Sequence, residues 1–328
     1  MIFPWQTTQW QQLLLTKQED RLSHALLFLG LKGTGKTHFA TCFVRAQLCH
    51  HQSTNENIEC ECHSCRLVLG KSHPNILWVE PEKEGSAIKI DQVRDVTEFV
   101  NQTSLQGEYR FVIINPANDM NANAANALLK TLEEPSSGSI MILISEQASQ
   151  LPATILSRCQ HIHFPPPAMD AALTWLAKKN SHHADLELAL RLAHGAPLTA
   201  MQLIENEILT SRTNLLEILY QLSLKQNDPV KSGLSIKDLE SIQIIDFILS
   251  WIIDLLKLHM QSDTSEMVNK DFISQLTDLQ QRTLPKNIIQ YMNYLQQLRG
   301  QIQIGINLNK QLMIESMLIR WMECASCF

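Results

Sequence analysis

Ala25-Leu26-Leu27-Phe28-Leu29-Gly30-Leu31-Lys32-Gly33-Thr34-Gly35-Lys36-Thr37 decides the class of fold. Five apolar residues run into a glycine, as a strand buried on both faces does. Gly30 to Thr37 then satisfies G-x-x-x-x-G-K-[ST] at every fixed position. Gly30, Gly33 and Gly35 let the backbone turn its N–H groups onto phosphate oxygens. Lys36 offers a cation to the β/γ-phosphates and Thr37 a hydroxyl to Mg²⁺. Helical character from Thr37 to Leu48 follows, and a helix N-terminus favours anions. ATP with Mg²⁺ is the ligand this stretch points to.

Outward from it, strand and helix signals alternate. Asn75 to Val79, Phe111 to Ile114, Ile140 to Ile144 and Cys159 to Phe164 read as further strands. Asp91 opens a helix with Val93, Val96, Phe99 and Val100 on one face, and Asn121 to Leu132 forms another that Pro135 ends. Such alternation predicts a doubly wound α/β domain. Pro165-Pro166-Pro167 breaks the chain, and the remainder reads as helical. Ala171 to Glu205 reads as two or three short helices around Gly195-Ala196-Pro197. Beyond it, Ile245, Ile248, Leu249, Ile252 and Leu256 recur at helical spacing, and Gln290 to Leu298 and Leu312 to Trp321 repeat the pattern. The expected division is residues 1–166, 167–207 and 208–328.

Composition excludes several classes. The 328 residues carry a formal charge of −6, which lacks the overall basic footprint of an autonomous DNA-binding protein. Phe247 to Ile253, broken only by Ser250, is far short of the ~18 apolar residues that span a bilayer. Met1 to Trp10 lacks the basic start and apolar core of a secretory signal, so a cytoplasmic location is expected.

A P-loop hydrolase also needs acids at the end of a second strand, to hold Mg²⁺ and orient the attacking water. Asn115 and Pro116 stand there, after Phe111 to Ile114. Asn keeps an acceptor oxygen but no charge, and Pro neither orients nor deprotonates water. Nucleotide binding with poor hydrolysis is the expectation.

Cys49, Cys60, Cys62 and Cys65 crowd into 17 residues and offer four thiolates, the number and softness that tetrahedral Zn²⁺ takes. Four protein ligands leave no open position, so a zinc there is structural. Cys62-x-x-Cys65 is a standard ligand pair, Cys60-x-Cys62 is tighter than usual, and His50, His51 or His63 offers a substitute ligand. The second C-x-x-C, Cys324 to Cys327, has no second pair nearby and reads as a frayed helix end. Arg158, in Ser157-Arg158-Cys159, is either an ordinary surface residue or an arginine finger aimed at another subunit's γ-phosphate. Spacing does not choose between the two.

Taken together, these segments resemble the delta-prime subunits of bacterial DNA polymerase III clamp loaders, within the AAA+ superfamily. The likeness is carried by Leu22 to Phe28, the cysteine cluster, His73-Pro74-Asn75, Ile88 to Arg94, Ala124 to Pro135 and Leu151 to Cys159. It is specific from about residue 20 to 164 and general beyond. It implies a P-loop AAA+ domain, a small helical lid and an all-α collar that joins a ring. It also implies the partners: gamma/tau motor subunits, the delta subunit and, through the complex, the sliding clamp and primed DNA. In that setting the chain is a component of a DNA-directed DNA polymerase holoenzyme rather than a catalyst alone, and Arg158 is the finger. Leu198, where motor subunits carry a sensing Arg, fits a non-motor role. The competing readings are an autonomous P-loop ATPase, which Asn115-Pro116 opposes, and a zinc-dependent nucleic-acid binder, which the charge opposes.

Overall fold

The computed structural model describes residues 1–51, 60–83, 85–101, 109–179, 185–236, 239–264, 267–303, 306 and 308–325. They fall into two compact units, Met1–Ala171 and Ala172–Phe328.

The first unit is built on five parallel strands: β1 (Ala25–Leu29), β2 (Ile76–Val79), β3 (Arg110–Ile114), β4 (Ser139–Ser145) and β5 (Gln160–His163). Their order is β2-β3-β4-β1-β5. The register pairs Ala25 with Met141 and Leu29 with Ser145 on one side of β1, and Leu26 with Gln160 on the other. Around the sheet lie α1 (Thr7–Gln18), α2 (Lys36–Leu48), α3 (His63–Leu69), α4 (Ile90–Asn101), α5 (Ala122–Glu133) and the short α6 (Ala153–Leu156).

Why β1 is apolar throughout follows from its alternation. Leu26 and Phe28 join Phe39, Phe43, Phe111, Ile142 and Trp10 on one face. Ala25, Leu27 and Leu29 join Val93, Val96, Val112, Leu128 and Leu143 on the other. Both faces are covered, so neither parity of residue is polar. The expected strands differ from these by a residue or so at their ends. Asn121 caps α5 by accepting the Ala124 N–H at 2.8 Å, which starts that helix one residue later than the apolar pattern implied.

The second unit continues α7 (Met169–Lys179) into α8 (Leu186–Leu192), α9 (Pro197–Glu205), α10 (Ile208–Ser223), α11 (Pro229–Gly233), α12 (Ser241–His259), α13 (Ile273–Arg282), α14 (Pro285–Gln303) and α15 (Lys310–Ala325). One hydrophobic core runs through it from Ala172 to Ala325, with Trp251, Tyr291 and Trp321 packed ring on ring. Residues on either side of position 207, such as Ile204 and Leu215, belong to that same core. No described helix is long and apolar enough to cross a membrane. Cys324 is buried in the last turn of α15, so the helix is not frayed at that residue, while Cys327 lies outside the described residues.

Candidate functional site

Gly30 to Lys36 joins β1 to α2 at the carboxyl end of the sheet. Strand β1 has β4 and β5 as neighbours rather than β2, the kind of switch point where parallel sheets open a ligand crevice. Gly30 N–H donates to Ser145 O at 3.3 Å, which ties the loop to the end of β4. A Cβ at Gly30 would stand 2.2 Å from the Phe164 carbonyl oxygen, so no larger residue fits between the loop and β5. Gly35 has φ +89°, and a Cβ there would meet the Phe3 ring at 2.6 Å.

The Phe3 contact belongs to a clasp. Trp5 Nε1 and Gln6 Nε2 each donate to Thr34 O at 3.0 Å. Phe3 stacks on Trp5 with centroids 4.9 Å apart and leans on His38 at 4.8 Å. Lys36 curls back over its own loop, its Nζ donating to Gly30 O at 2.6 Å and Leu31 O at 2.8 Å. Burial pushes the Lys36 ammonium down to about 8, against the pull of the Glu146 charge. Gly30, Gly33, Gly35, Lys36 and Thr37 thus form one continuous loop and helix start, as their spacing implied.

Asn115 and Pro116 follow β3 directly, Asn115 N–H donating to Val79 O at 3.0 Å. Two carboxylates that the motif pattern does not single out stand near this loop. Asn118 Oδ1 accepts from Ser145 Oγ at 3.2 Å and from the Glu146 N–H at 3.5 Å, and its Nδ2 donates to Asp119 Oδ1 at 2.9 Å. Burial and the Glu146 charge raise the Asp119 carboxyl above its ordinary value, with Lys32 opposing. The one signal in the chain itself was positional: Glu146 directly follows the strand-like run that forms β4.

The cysteine cluster is assembled. Sγ atoms of Cys49, Cys60, Cys62 and Cys65 all lie within 4.8 Å of one another. Ideal tetrahedral Zn–S bonds of about 2.3 Å set sulfurs roughly 3.8 Å apart, so a small closing movement suits the set to zinc. Cys49 ends α2 and Cys65 lies in the first turn of α3, both buried, which fixes half of the site to the core. Helix α3 was not legible beneath the cysteine spacing. Cys62 caps it, accepting the Cys65 N–H at 3.5 Å, and that bond brings its thiol down to about 6. Burial pushes the Cys65 thiol up to about 12. His51 Nδ1 is 3.3 Å from Cys60 Sγ, and the His50 backbone also hydrogen-bonds the Cys62 thiol. Arg45 donates to Cys60 O at 2.8 Å. His73 is no ligand: its ring bridges Ser64 Oγ at 3.0 Å and the Asn75 N–H at 3.1 Å, buttressing α3 against the start of β2.

Arg158 follows α6. Its Nη1 donates to Thr154 O at 2.9 Å and Ser157 Oγ at 3.2 Å, and its Nη2 pairs with Glu133 Oε1 at 2.7 Å. These partners lie on α5 and around α6, and none belongs to the chain's own P-loop.

With this geometry in place, the comparisons are decisive on kinship. Residues 5–168 match the family described as DNA polymerase III, delta subunit, and residues 206–323 the one described as DNA polymerase III, delta subunit, C terminal. DNA polymerase III subunit delta' of Pseudomonas aeruginosa is 33% identical over 322 residues, 98% of this chain and 97% of that one. The chain belongs to the DNA polymerase III delta' family. The Escherichia coli K12 delta' subunit is 28% identical over 97% of this chain and 94% of its own length. DNA polymerase III subunit tau of Bacillus subtilis is 31% identical over 204 residues, 60% of this chain and 35% of that protein. The expected resemblance, the parallel P-loop α/β fold and the helical second half thus hold for the full length.

A metal prediction arises here. Metal analysis of purified protein is expected to find near one zinc per molecule of the parent chain and none in a Cys62→Ser, Cys65→Ser double variant. Thermal unfolding should still show a cooperative transition, because both faces of the sheet are packed by apolar residues away from the cluster. Full zinc content in the double variant would refute the assignment.

Proposed function

We propose that this chain is a non-hydrolysing partner subunit of the clamp loader, acting in the cytoplasm. It assembles with gamma/tau motor subunits and the delta subunit, and supplies Arg158 to the ATP site of a neighbouring motor during loading of the sliding clamp onto primed DNA. The observation that carries this reading is the placement of Arg158: it sits at the surface, engaged with α5 and α6 rather than with its own P-loop, while Asn115-Pro116 directly follow β3. Within this reading, residues 167–207 serve as the lid, with Leu198 in the first turn of α9 in place of a sensing arginine. Residues 208–328 serve as the collar. Zinc at Cys49, Cys60, Cys62 and Cys65 is structural, holding the end of α2 to α3.

The P-loop binds ATP without efficient turnover. Lys36 supplies charge to the phosphates and Thr37 a hydroxyl to Mg²⁺, but no carboxylate occupies the two positions after β3. Equilibrium titration should show ATP affinity that falls in Lys36→Ala, with hydrolysis by the isolated chain near background. The affinity also carries a pH signature. Free Lys36 titrates near 8, and bound phosphate favours its charged form, so above pH 8 binding must take up a proton. Affinity therefore declines as pH rises past about 8, by up to tenfold per unit, and this slope disappears in Lys36→Ala. Robust turnover by the isolated chain would overturn the reading and direct attention to Asp119 or Glu146. Co-purification with motor subunits tests the assembly itself. A chain that never joins them and hydrolyses ATP alone is the autonomous ATPase.

A further inference from the structure

We infer that Glu133 is a positioning residue for Arg158, presetting its guanidinium for a phosphate outside the chain. This rests on the reading of Arg158 as a finger. Glu133 is the last residue of α5, where the negative end of a helix disfavours a carboxylate. The helix offers it no stabilisation, whereas Arg158 Nη2 lies 2.7 Å from its Oε1.

Both anchors are themselves held. Thr131 and Leu132, just before Glu133, are buried, and His24 Nε2 lies 3.0 Å from Leu132 O. On the other side Ile155 is wholly buried and the Arg158 N–H donates to Ile155 O at 3.1 Å. Glu133 and the Thr154 carbonyl therefore grip two different amino groups of one planar fork from two rigid supports. A long flexible side chain so held has already lost most of the rotamer freedom that phosphate contact requires it to lose. The three contacts on Nη1 and Nη2 leave donors over, because a guanidinium carries five N–H groups. An exposed ion pair of this kind contributes little to stability, so its value is in orientation.

The experiment uses the clamp loader reconstituted with this subunit as Glu133→Ala, Glu133→Gln, Arg158→Ala or the double Glu133→Ala, Arg158→Ala. DNA-stimulated ATP hydrolysis and clamp loading are measured, with melting temperature and complex size as controls. Arg158→Ala should be slow. Glu133→Ala should lower kcat for loading about threefold or more with KM for ATP unchanged. Glu133→Gln, which keeps an acceptor oxygen at the same reach, should recover most of the parent rate. The double variant should be no slower than Arg158→Ala. Parent or faster loading in Glu133→Ala beside a slow Arg158→Ala overturns the positioning role and leaves the finger standing. So does Glu133→Gln as slow as Glu133→Ala. Parent-rate loading in Arg158→Ala overturns the finger and this inference together.

Discussion

Replacing Arg158 by alanine is expected to leave the chain folded and assembled while cutting clamp loading by a reconstituted loader about tenfold or more. A guanidinium is planar, permanently charged and matched to phosphate oxygens, which suits it to neutralising charge on a γ-phosphate that another chain holds. At the site it serves, loss of such a finger is worth about 10³-fold or more. On the proposed reading only the site facing this subunit is affected, so total ATP hydrolysis should fall in part and clamp loading further. Arg158→Lys should rescue little, because an ammonium offers no fork to two oxygens. Arg158 is partly exposed and its pair with Glu133 reaches the surface, so the folding cost of removing it stays below about 1 kcal/mol. Loaders carrying Arg158→Ala that load at the parent rate would return Arg158 to the status of a surface residue.

Asp254→Ala is the substitution with the largest expected effect on stability. Asp254 is fully buried in α12 and accepts the Val268 N–H at 3.0 Å, the Asn269 N–H at 2.7 Å and Asn269 Nδ2 at 2.8 Å. Asn269 in turn receives Arg212 Nη2 on its Oδ1 at 2.5 Å, and the buried Arg212 pairs with Asp271 at 2.7 Å. Removing the carboxylate strands buried backbone donors and unbalances a charge network, which costs about 3–5 kcal/mol. Net stabilities of domains are about 5–15 kcal/mol, so the helical unit should lose a large part of its own. Urea unfolding should show a transition of the helical half moved to lower denaturant and the P-loop half unchanged. A loss below about 1 kcal/mol would mean that water or a rearranged Asn269 replaces the carboxylate. For contrast, breaking the exposed Glu187–Arg191 pair should cost about 0.5 kcal/mol or less.

That same network shows where sequence reading stops. The strands were legible because a short apolar run such as Phe111 to Ile114, closed by Arg110 and Asn115, suits a strand covered on both faces. The P-loop was legible because its glycines and lysine serve one geometry. Helix α1 was not, since only Trp10 and Leu13 of its residues are buried and the rest is largely Gln and Thr. Arg212, Asp254 and Asn269 look like ordinary helix-surface and loop polar residues, and only folding brings partners 57 and 15 positions apart into contact. The same holds for Glu133 and Arg158. The spacing of the cysteines announced a cluster, but not that Cys62 and Cys65 begin a helix, nor that His73 props that helix from behind. That Asn115 and Pro116 directly follow a strand was plain from the chain. That Glu146 stands near Lys36 depends on β4 lying beside β1, a pairing no local pattern encodes.

The strand order sets a timetable for the ribosome. β1 is the first strand synthesised, yet its partners are the fourth and fifth, while β2 pairs with β3 and β3 with β4. Ala25–Leu29 must wait for Ser139–Ser145, about 110 residues later, before any neighbour exists to bond its backbone. At about 5–20 residues per second that is an interval of roughly 6–22 s with a wholly apolar strand unpaired. Stalled nascent chains that stop short of β4 should accordingly be cleaved within Ala25–Leu29 and captured there by chaperones. Chains that have extruded β4 should resist both.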